Sequence, residues 1–198
     1  MTLTGGIKMK IQIIYSSLSG KTKRLANAIF NGMDKEHTCT IHDLKDEEPM
    51  LDGDIILLGY WVDKAGPEQK MKQFMSKVKG KAVGVFCTLG YYADSAHAYE
   101  SIANGVKEVQ DNNTIIGSYV CNGAISDKII EMFRKRGTEG PHSASKENEI
   151  RWSIMESHPT DAECALAAER FRERVEIYSR FQKEGLTFKS ILPVKEEK

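Results

Sequence analysis

Residues 10–30 read KIQIIYSSLSGKTKRLANAIF, and this stretch predicts a strand, a short polar loop and a helix in direct succession. The apolar run 11–15 is typical of a buried strand, and apolar side chains from Leu25 to Met33 recur at helical spacing. The loop between them consists of Ser16, Ser17, Leu18, Ser19, Gly20, Lys21 and Thr22. Because the first N–H groups of a helix lack internal partners and the helix dipole attracts anions, the loop predicts a phosphate site.

The composition is that of an ordinary soluble protein and excludes several classes of function. Of 198 residues, 40% are hydrophobic, and 28 basic residues balance 28 acidic ones. A zero formal charge gives no electrostatic reason to expect nucleic acid or an anionic membrane as a partner. Apolar runs such as 55–58 are too short to cross a bilayer, and residues 1–10 lack the apolar core of a secretion signal. We therefore expect a cytoplasmic protein.

The cysteines are spread through the chain as Cys39, Cys87, Cys121 and Cys164, without a CxxC pair. Structural zinc sites usually place their cysteines in such pairs, so we expect no metal site. Unpaired thiols also fit a reducing compartment.

Strand-like and helix-like segments alternate along the chain. Five runs predict strands, at residues 11–15, 38–44, 54–59, 81–87 and 114–121. This alternation predicts one doubly wound α/β domain, placed at residues 8–184, with a five-stranded parallel sheet and helices on both faces. Right-handed crossovers favour the strand order 2-1-3-4-5, in which the ligand cleft lies beyond the carboxyl ends of the first and third strands.

Two segments fall outside this alternation. Residues 127–159 form an insertion before the last helix; it begins as a helix and continues as a basic, polar stretch. Such an insertion either covers the edge of the cleft, docks a partner or is simply a solvated surface element. Residues 185–198 form a charged tail, which we expect to be frayed from Thr187 to Lys198.

Two further loops should meet the phosphate loop at the same edge of the sheet. Residues 59–66 read GYWVDKAG after the third strand, and residues 88–95 read TLGYYADS after the fourth. Their aromatic residues are Tyr60, Trp61, Tyr91 and Tyr92. Aromatic side chains beside a phosphate site favour a flat ligand with a phosphorylated tail, because stacked rings gain roughly 0.5–1.5 kcal/mol beyond burial. Flavin mononucleotide (FMN) meets these demands.

The loop from Ser17 to Thr22, which follows a strand ending in tyrosine, resembles the phosphate loop of the flavodoxins, (T/S)-x-(T/S)-G-x-T. The resemblance continues through both aromatic loops and through GSYVCNGAISDKIIEMF at residues 117–133, and covers the chain from about Lys10 to Phe181. It implies noncovalently bound FMN, electron transfer through its ring, and no catalytic acid, base or nucleophile from the protein. It also implies redox partner proteins, a reductase as donor and an enzyme as acceptor. We expect a monomer or a weak homodimer.

The resemblance assigns roles to individual residues. It implies that Ser17, Ser19 and Thr22 bond the phosphate through their hydroxyls, together with the N–H groups of residues 18–22. It implies that Trp61 or Tyr60 covers one face of the ring and Tyr92 the other, and that the backbone of residues 62–63 and 89–90 meets the polar ring edge. The expected cofactor-binding residues are Ser16, Ser17, Leu18, Ser19, Gly20, Lys21, Thr22, Gly59, Tyr60, Trp61, Val62, Asp63, Thr88, Leu89, Gly90, Tyr91, Tyr92 and Ser95.

Two other functions compete with an electron carrier. Gly20-Lys21-Thr22 ends like the phosphate loop of P-loop NTPases and kinases, but Tyr15 stands at the position of the first required glycine, and the third strand ends without an aspartate for magnesium. An NAD(P)H-dependent FMN reductase or quinone reductase shares the predicted fold, so it stays open. The absence of a GxGxxG motif favours the carrier.

Overall fold

The computed structural model describes residues 5–137 and 143–193. Its strands are β1 (Lys10–Tyr15), β2 (Thr38–Asp43), β3 (Ile55–Asp63), β4 (Gly66–Pro67), β5 (Ala82–Leu89) and β6 (Thr114–Asn122). The main sheet has the order β2-β1-β3-β5-β6 with every pair parallel, and the short β4 pairs antiparallel with the end of β3. Counted without β4, this is the order 2-1-3-4-5, so the predicted fold is confirmed.

Helices cover both faces of the sheet. They are α1 (Lys21–Asn31), α2 (Gln69–Met75), α3 (Ala96–Lys107), α4 (Asp127–Arg136), α5 (Lys146–Met155) and α6 (Asp161–Lys183). One core contains Leu25 of α1 and Phe171 of α6, and the other contains Met71 of α2 and Ile102 of α3. Because β1 is covered on both sides, the successive residues Ile13 and Ile14 are both fully buried, which explains why apolar side chains occupy adjacent positions there.

The elements around Pro67 differ from the sequence prediction. Proline suits the first turn of a helix, so the sequence predicts a helix beginning at Pro67. In the structure β3 continues past Gly59 to Asp63, and Pro67 pairs with Val62 in β4. Helix α2 begins two residues later, where the Glu68 side chain caps it by accepting a hydrogen bond from the Met71 N–H. The loop at residues 59–66 therefore belongs to a β-hairpin rather than to an irregular connection.

The insertion and the tail are more ordered than predicted. The insertion contains a second helix, α5, that the sequence reading missed, and residues 138–142 lie outside the described residues. In the tail, the Ile191 N–H donates to the Ile115 carbonyl at the start of β6 (2.8 Å), and the Phe188 ring contacts the rings of Tyr178 and Phe181. The expected fraying is thus wrong for residues 188–191, while residues 194–198 lie outside the described part. Within residues 5–137 and 143–193, no helix is long and apolar enough to span a membrane.

Candidate functional site

The loop between β1 and α1 ends in an uncapped helix N-terminus. Gly20 occupies the N-cap position with φ +83°, a left-handed conformation that side-chain-bearing residues rarely adopt. No side chain caps α1, and its first turn holds no acidic residue. The first N–H groups of α1 therefore face the loop without a capping side chain and without a carboxylate that would repel an anion.

The hydroxyl groups of this loop differ in their partners. Ser16 donates to Glu68 Oε1 (2.5 Å), Ser19 donates to the Ala124 carbonyl (3.0 Å), and Thr22 shares a hydrogen bond with Thr88 (2.9 Å between Oγ1 atoms). Ser17 Oγ is buried and has no partner among the described residues. A buried hydroxyl without a partner costs roughly 1–3 kcal/mol, so its position calls for an acceptor from a ligand. A phosphate oxygen fits this requirement.

Behind the loop lies a buried carboxyl group, Glu68. It is 8% exposed, and its Oε2 has no partner among the described residues. Burial raises the pKa of Glu68 above its ordinary value, against the hydrogen bonds from Ser16 and the Met71 N–H that favour the charged form. Glu68 thus holds Ser16 away from any ligand and caps α2, so we assign Ser16 a structural role.

A cavity of about 860 Å³ opens at the carboxyl edge of the sheet, beyond β3 and β5. Half of the expected cofactor-binding residues line it: Leu18, Ser19, Trp61, Val62, Asp63, Thr88, Leu89, Gly90 and Tyr91. The rest of the set does not line it: Ser16, Ser17, Gly20, Lys21, Thr22, Gly59, Tyr60, Tyr92 and Ser95. The members of this second group that belong to the phosphate loop are close to Leu18 and Ser19 in the chain. The other four are Gly59, Tyr60, Tyr92 and Ser95.

Tyr60 and Gly59 belong to the core rather than to the cavity. The Tyr60 side chain is fully buried, and its hydroxyl donates to the Ser101 carbonyl (2.8 Å). A Cβ atom on Gly59 would lie 2.2 Å from Phe86 Cζ, so the packing of that ring requires glycine. Tyr60 therefore does not cover a ring face, and Trp61 is the aromatic residue of β3 that lines the cavity.

Of the two tyrosines after β5, the structure places Tyr91 rather than Tyr92 in the cavity lining. Tyr92 is 48% exposed and does not line the cavity, whereas Tyr91 does. The two rings meet edge to face with centroids 4.9 Å apart, and the Arg151 guanidinium lies over the Tyr91 ring at 4.7 Å. Ser95 caps α3 by accepting from the Ala98 N–H. Trp61 and Tyr91 are thus the aromatic pair available to a flat ligand.

Comparisons with known proteins agree with this architecture. The sequence profile of the flavodoxin domain matches residues 12–172. The chain belongs to the flavodoxin domain family. The flavodoxin-like domain-containing protein BilS of Clostridioides difficile (strain CD3) is 28% identical over 165 residues, which cover 78% of this chain and 90% of that protein. BilS of Clostridium symbiosum (strain WAL-14163) is 21% identical over 179 residues, covering 82% and 84%.

Solved structures of flavodoxins and flavoproteins are similar as well. An archaeal flavodoxin is 16% identical with a TM-score of 0.46, and the match covers 82% of this chain and 98% of that one. A flavoprotein of Lactobacillus acidophilus NCFM, crystallised in complex with FMN, is 17% identical with a TM-score of 0.43, covering 57% and 93%. The family resemblance that the loops indicated is confirmed by the profile match.

In this flavodoxin domain, the insertion supplies a wall of the cavity, which is one of the roles that the sequence left open for it, through residues that the sequence did not single out. The residues concerned include Ile125 before α4, one face of α4, and Arg151 and Trp152 of α5. The signal in the sequence was the spacing of Ile129, Met132 and Phe133, an apolar stripe on a helix that contributes no buried residue to the core. That stripe faces the cavity instead.

The same insertion is tied to the phosphate loop. Lys21 Nζ donates to the Glu156 carbonyl directly after α5 (2.5 Å), and Arg24 forms an ion pair with Asp161 at the start of α6 (2.7 Å). The Arg24 pair is solvent-exposed and contributes little energy. The Lys21 contact places an ammonium group between the first turn of α1 and the end of the cavity wall.

The tip of the β3–β4 hairpin also lines the cavity. Its turn residues, Lys64 and Ala65, have φ of +48° and +59°, and the Asn104 side chain donates to the Ala65 carbonyl (2.8 Å). Two successive residues with positive φ form the turn type that matches strand twist, normally with Asn and Gly. Lysine and alanine here hold the tip in a strained conformation beside the cavity.

Proposed function

We propose that this flavodoxin domain binds FMN and carries electrons between a reductase and an acceptor protein. The observation that carries the cofactor assignment is Ser17 Oγ, a buried hydroxyl without a described partner beside the uncapped N-terminus of α1. Phosphate supplies the acceptor oxygens and the negative charge that this arrangement lacks. Family membership supports the same cofactor.

The remaining residues fit the ring of FMN. Trp61 and Tyr91 offer aromatic faces, and the backbone at Leu89 and Gly90 lies along the cavity between them. The walls shield the ligand from water and orient it, with the phosphate at α1 and the ring between the aromatic side chains. When bound, FMN supplies reversible electron transfer, and the protein supplies binding, orientation and electrostatics.

Thermodynamic discrimination between FMN and riboflavin tests the cofactor assignment. The two ligands share the ring and differ in the phosphate, so Ser17→Ala should weaken FMN binding by about 10- to 100-fold and leave riboflavin binding unchanged, given about 1.5–3 kcal/mol for a hydrogen bond to a charged group. Ser153→Ala, which removes an exposed hydroxyl on α5, serves as the control. Titrations followed by flavin fluorescence give both affinities.

If Ser17→Ala and Ser153→Ala weaken FMN binding equally, or if the wild type binds FMN and riboflavin with equal affinity, the phosphate does not bind at Ser17. Binding of ATP with magnesium in place of FMN would favour the NTPase alternative.

A second measurement separates the carrier from a reductase that uses NAD(P)H directly. We expect the FMN-loaded protein alone to oxidise NADPH slowly, and electrons to reach cytochrome c only after an NADPH-dependent flavodoxin reductase is added. The chain has no GxGxxG loop for a dinucleotide, which supports the carrier. Fast NADPH turnover by the protein alone would instead support the reductase. Because the formal charge is zero, encounter with partners should depend only weakly on salt.

A further inference from the structure

The outer part of the cavity is formed by one face of α4 and by the adjoining part of α5. We name it the outer chamber and define it by Ile129, Met132, Phe133, Arg136, Arg151 and Trp152, all of which line the cavity. On α4, the spacing of 129, 132, 133 and 136 places these side chains on one face. An amphipathic helix normally packs its apolar face against the core, yet no residue of α4 is buried. The face that elsewhere joins a core here lines a binding cavity.

The two helices form a fixed wall. Arg134 on α4 makes a two-pronged contact with Glu149 on α5, with distances of 2.7 and 2.6 Å from its Nε and Nη2 to the carboxylate oxygens. The Phe133 and Trp152 rings lie with centroids 5.8 Å apart and an interplanar angle of 32°. The aromatic lining of the outer chamber is therefore held in place from both helices.

The outer chamber extends away from the phosphate loop. Ser19 bonds the Ala124 carbonyl just before α4, so this end of the insertion sits at the loop. Arg136 lies ten residues after the N-cap Ser126, which corresponds to about 15 Å along a helix axis. Arg136 therefore lies at the far end of α4 from the position that the FMN phosphate takes.

Positive charge in this cavity exceeds negative charge. The lining contains three cationic side chains, Lys64, Arg136 and Arg151, against one carboxylate, Asp63. Arg136 is exposed and has no ion-pair partner within the described residues, so its guanidinium is accessible to a ligand. Arg151 donates to Asn148 Oδ1 (2.5 Å), but its Nε is buried without a partner in the part of the chain that the structure describes. Buried or unpaired guanidinium donors of this kind match a carboxylate or sulfonate.

We propose that the outer chamber binds a planar aromatic or conjugated organic anion, with its apolar body against Phe133 and Trp152 and its charged group at Arg136. The chamber supplies ring faces for the body and guanidinium groups for the charge. The volume of about 860 Å³ belongs to the whole cavity, which includes the part proposed for FMN and the outer chamber. Arg136 lies at the end of α4 away from the phosphate loop, whereas Arg151 also contacts the Tyr91 ring of the proposed FMN site, so binding beside FMN is measured directly.

The test uses 2-naphthalenesulfonate and its uncharged analogue 2-naphthalenesulfonamide, titrated calorimetrically into the full-length protein. We expect the sulfonate to bind at least about 10-fold more tightly than the sulfonamide, and Arg136→Gln to remove most of that preference. Lys135→Gln is the matched control, since it removes the same charge from the neighbouring position of α4 without touching the cavity lining.

The titrations are repeated after saturation with FMN, where we expect the sulfonate to bind with equal or higher affinity. Equal binding of the two probes, equal effects of Arg136→Gln and Lys135→Gln, or loss of sulfonate binding on FMN saturation would each overturn the proposal. If the protein does not bind FMN but binds the sulfonate more tightly than the sulfonamide, and Arg136→Gln removes that preference, the proposed function is contradicted and the proposal for the outer chamber is supported.

Discussion

Replacing Ala65 with glycine should stabilise this protein, which is unusual for a change from alanine to glycine. Ala65 stands at φ +59° in the two-residue turn that joins β3 to β4, between the paired residues Asp63 and Gly66. A left-handed conformation costs a residue with a side chain about 1–2 kcal/mol, and glycine removes this cost. Glycine also gives the unfolded chain more freedom, which costs about 0.4–1 kcal/mol.

The difference between these terms is a net gain of about 0.5–1 kcal/mol in the free energy of unfolding. For a chain of this length, such a gain raises Tm by about 1–4 °C. The backbone contact from Asn104 to the Ala65 carbonyl is kept in the variant, so the turn itself does not change. Urea unfolding followed by circular dichroism measures the free energy, and a thermal scan measures Tm.

The matched control is Ala93→Gly. Ala93 also lies in a loop at the cavity end of the sheet, but outside the left-handed region, so the same substitution there should destabilise by about 0.4–1 kcal/mol. If both variants lose stability to the same degree, the strain assigned to the turn does not exist. A gain for Ala65→Gly together with a loss for Ala93→Gly supports it.

Three further changes test the core and the buried carboxyl. Glu68→Gln should be more stable than the wild type at neutral pH. Burial raises the folded-state pKa of Glu68, so the wild type loses stability as the pH rises from the unfolded-state pKa to the folded-state pKa of this group. In urea unfolding from pH 4 to 8, the difference in unfolding free energy between variant and wild type should widen over that window only. A gap that does not change with pH would contradict this origin. Gly59→Ala should destabilise by about 1–3 kcal/mol because its Cβ would lie 2.2 Å from Phe86 Cζ, and an unchanged urea midpoint would mean that the ring moves aside freely. Phe188→Ala should cost about 1–3 kcal/mol in the same assay, since its ring contacts the rings of Tyr178 and Phe181; a frayed tail predicts no change.

The sheet was predictable because its central strands β3 and β5 consist mostly of consecutive apolar residues, and its order because right-handed crossovers leave few arrangements. The end of β3 was harder to predict. Side chains of successive strand residues point to opposite faces, so Tyr60 and Trp61 cannot lie on the same face once β3 continues beyond Gly59, and Tyr60 is buried in the core. Ending the strand at Gly59 hid this constraint. The hydroxyl loop was located correctly, but the choice among its hydroxyls depends on Glu68, which lies 52 residues from Ser16 in the chain.

The insertion was the least predictable part for a physical reason. Its second helix, KENEIRWSIM at residues 146–155, shows only a weak amphipathic pattern, so no stripe indicated a buried face. Trp152 is nevertheless buried, against Phe133 of the preceding helix. Such a pairing of two short helices is decided by tertiary contacts that local periodicity does not contain.

Lys21 has a consequence for how the two ends of the cleft communicate. Its ammonium group carries three hydrogens, so it can hold the Glu156 carbonyl and a phosphate oxygen together, and the cofactor then shares an anchor with the helix that carries Trp152. Thermodynamic linkage makes any such coupling reciprocal. If bound FMN raises the affinity of that helix for a second molecule, the second molecule raises the affinity for FMN by the same factor. Such a protein would bind FMN most tightly while a second molecule is bound against the helix that carries Trp152.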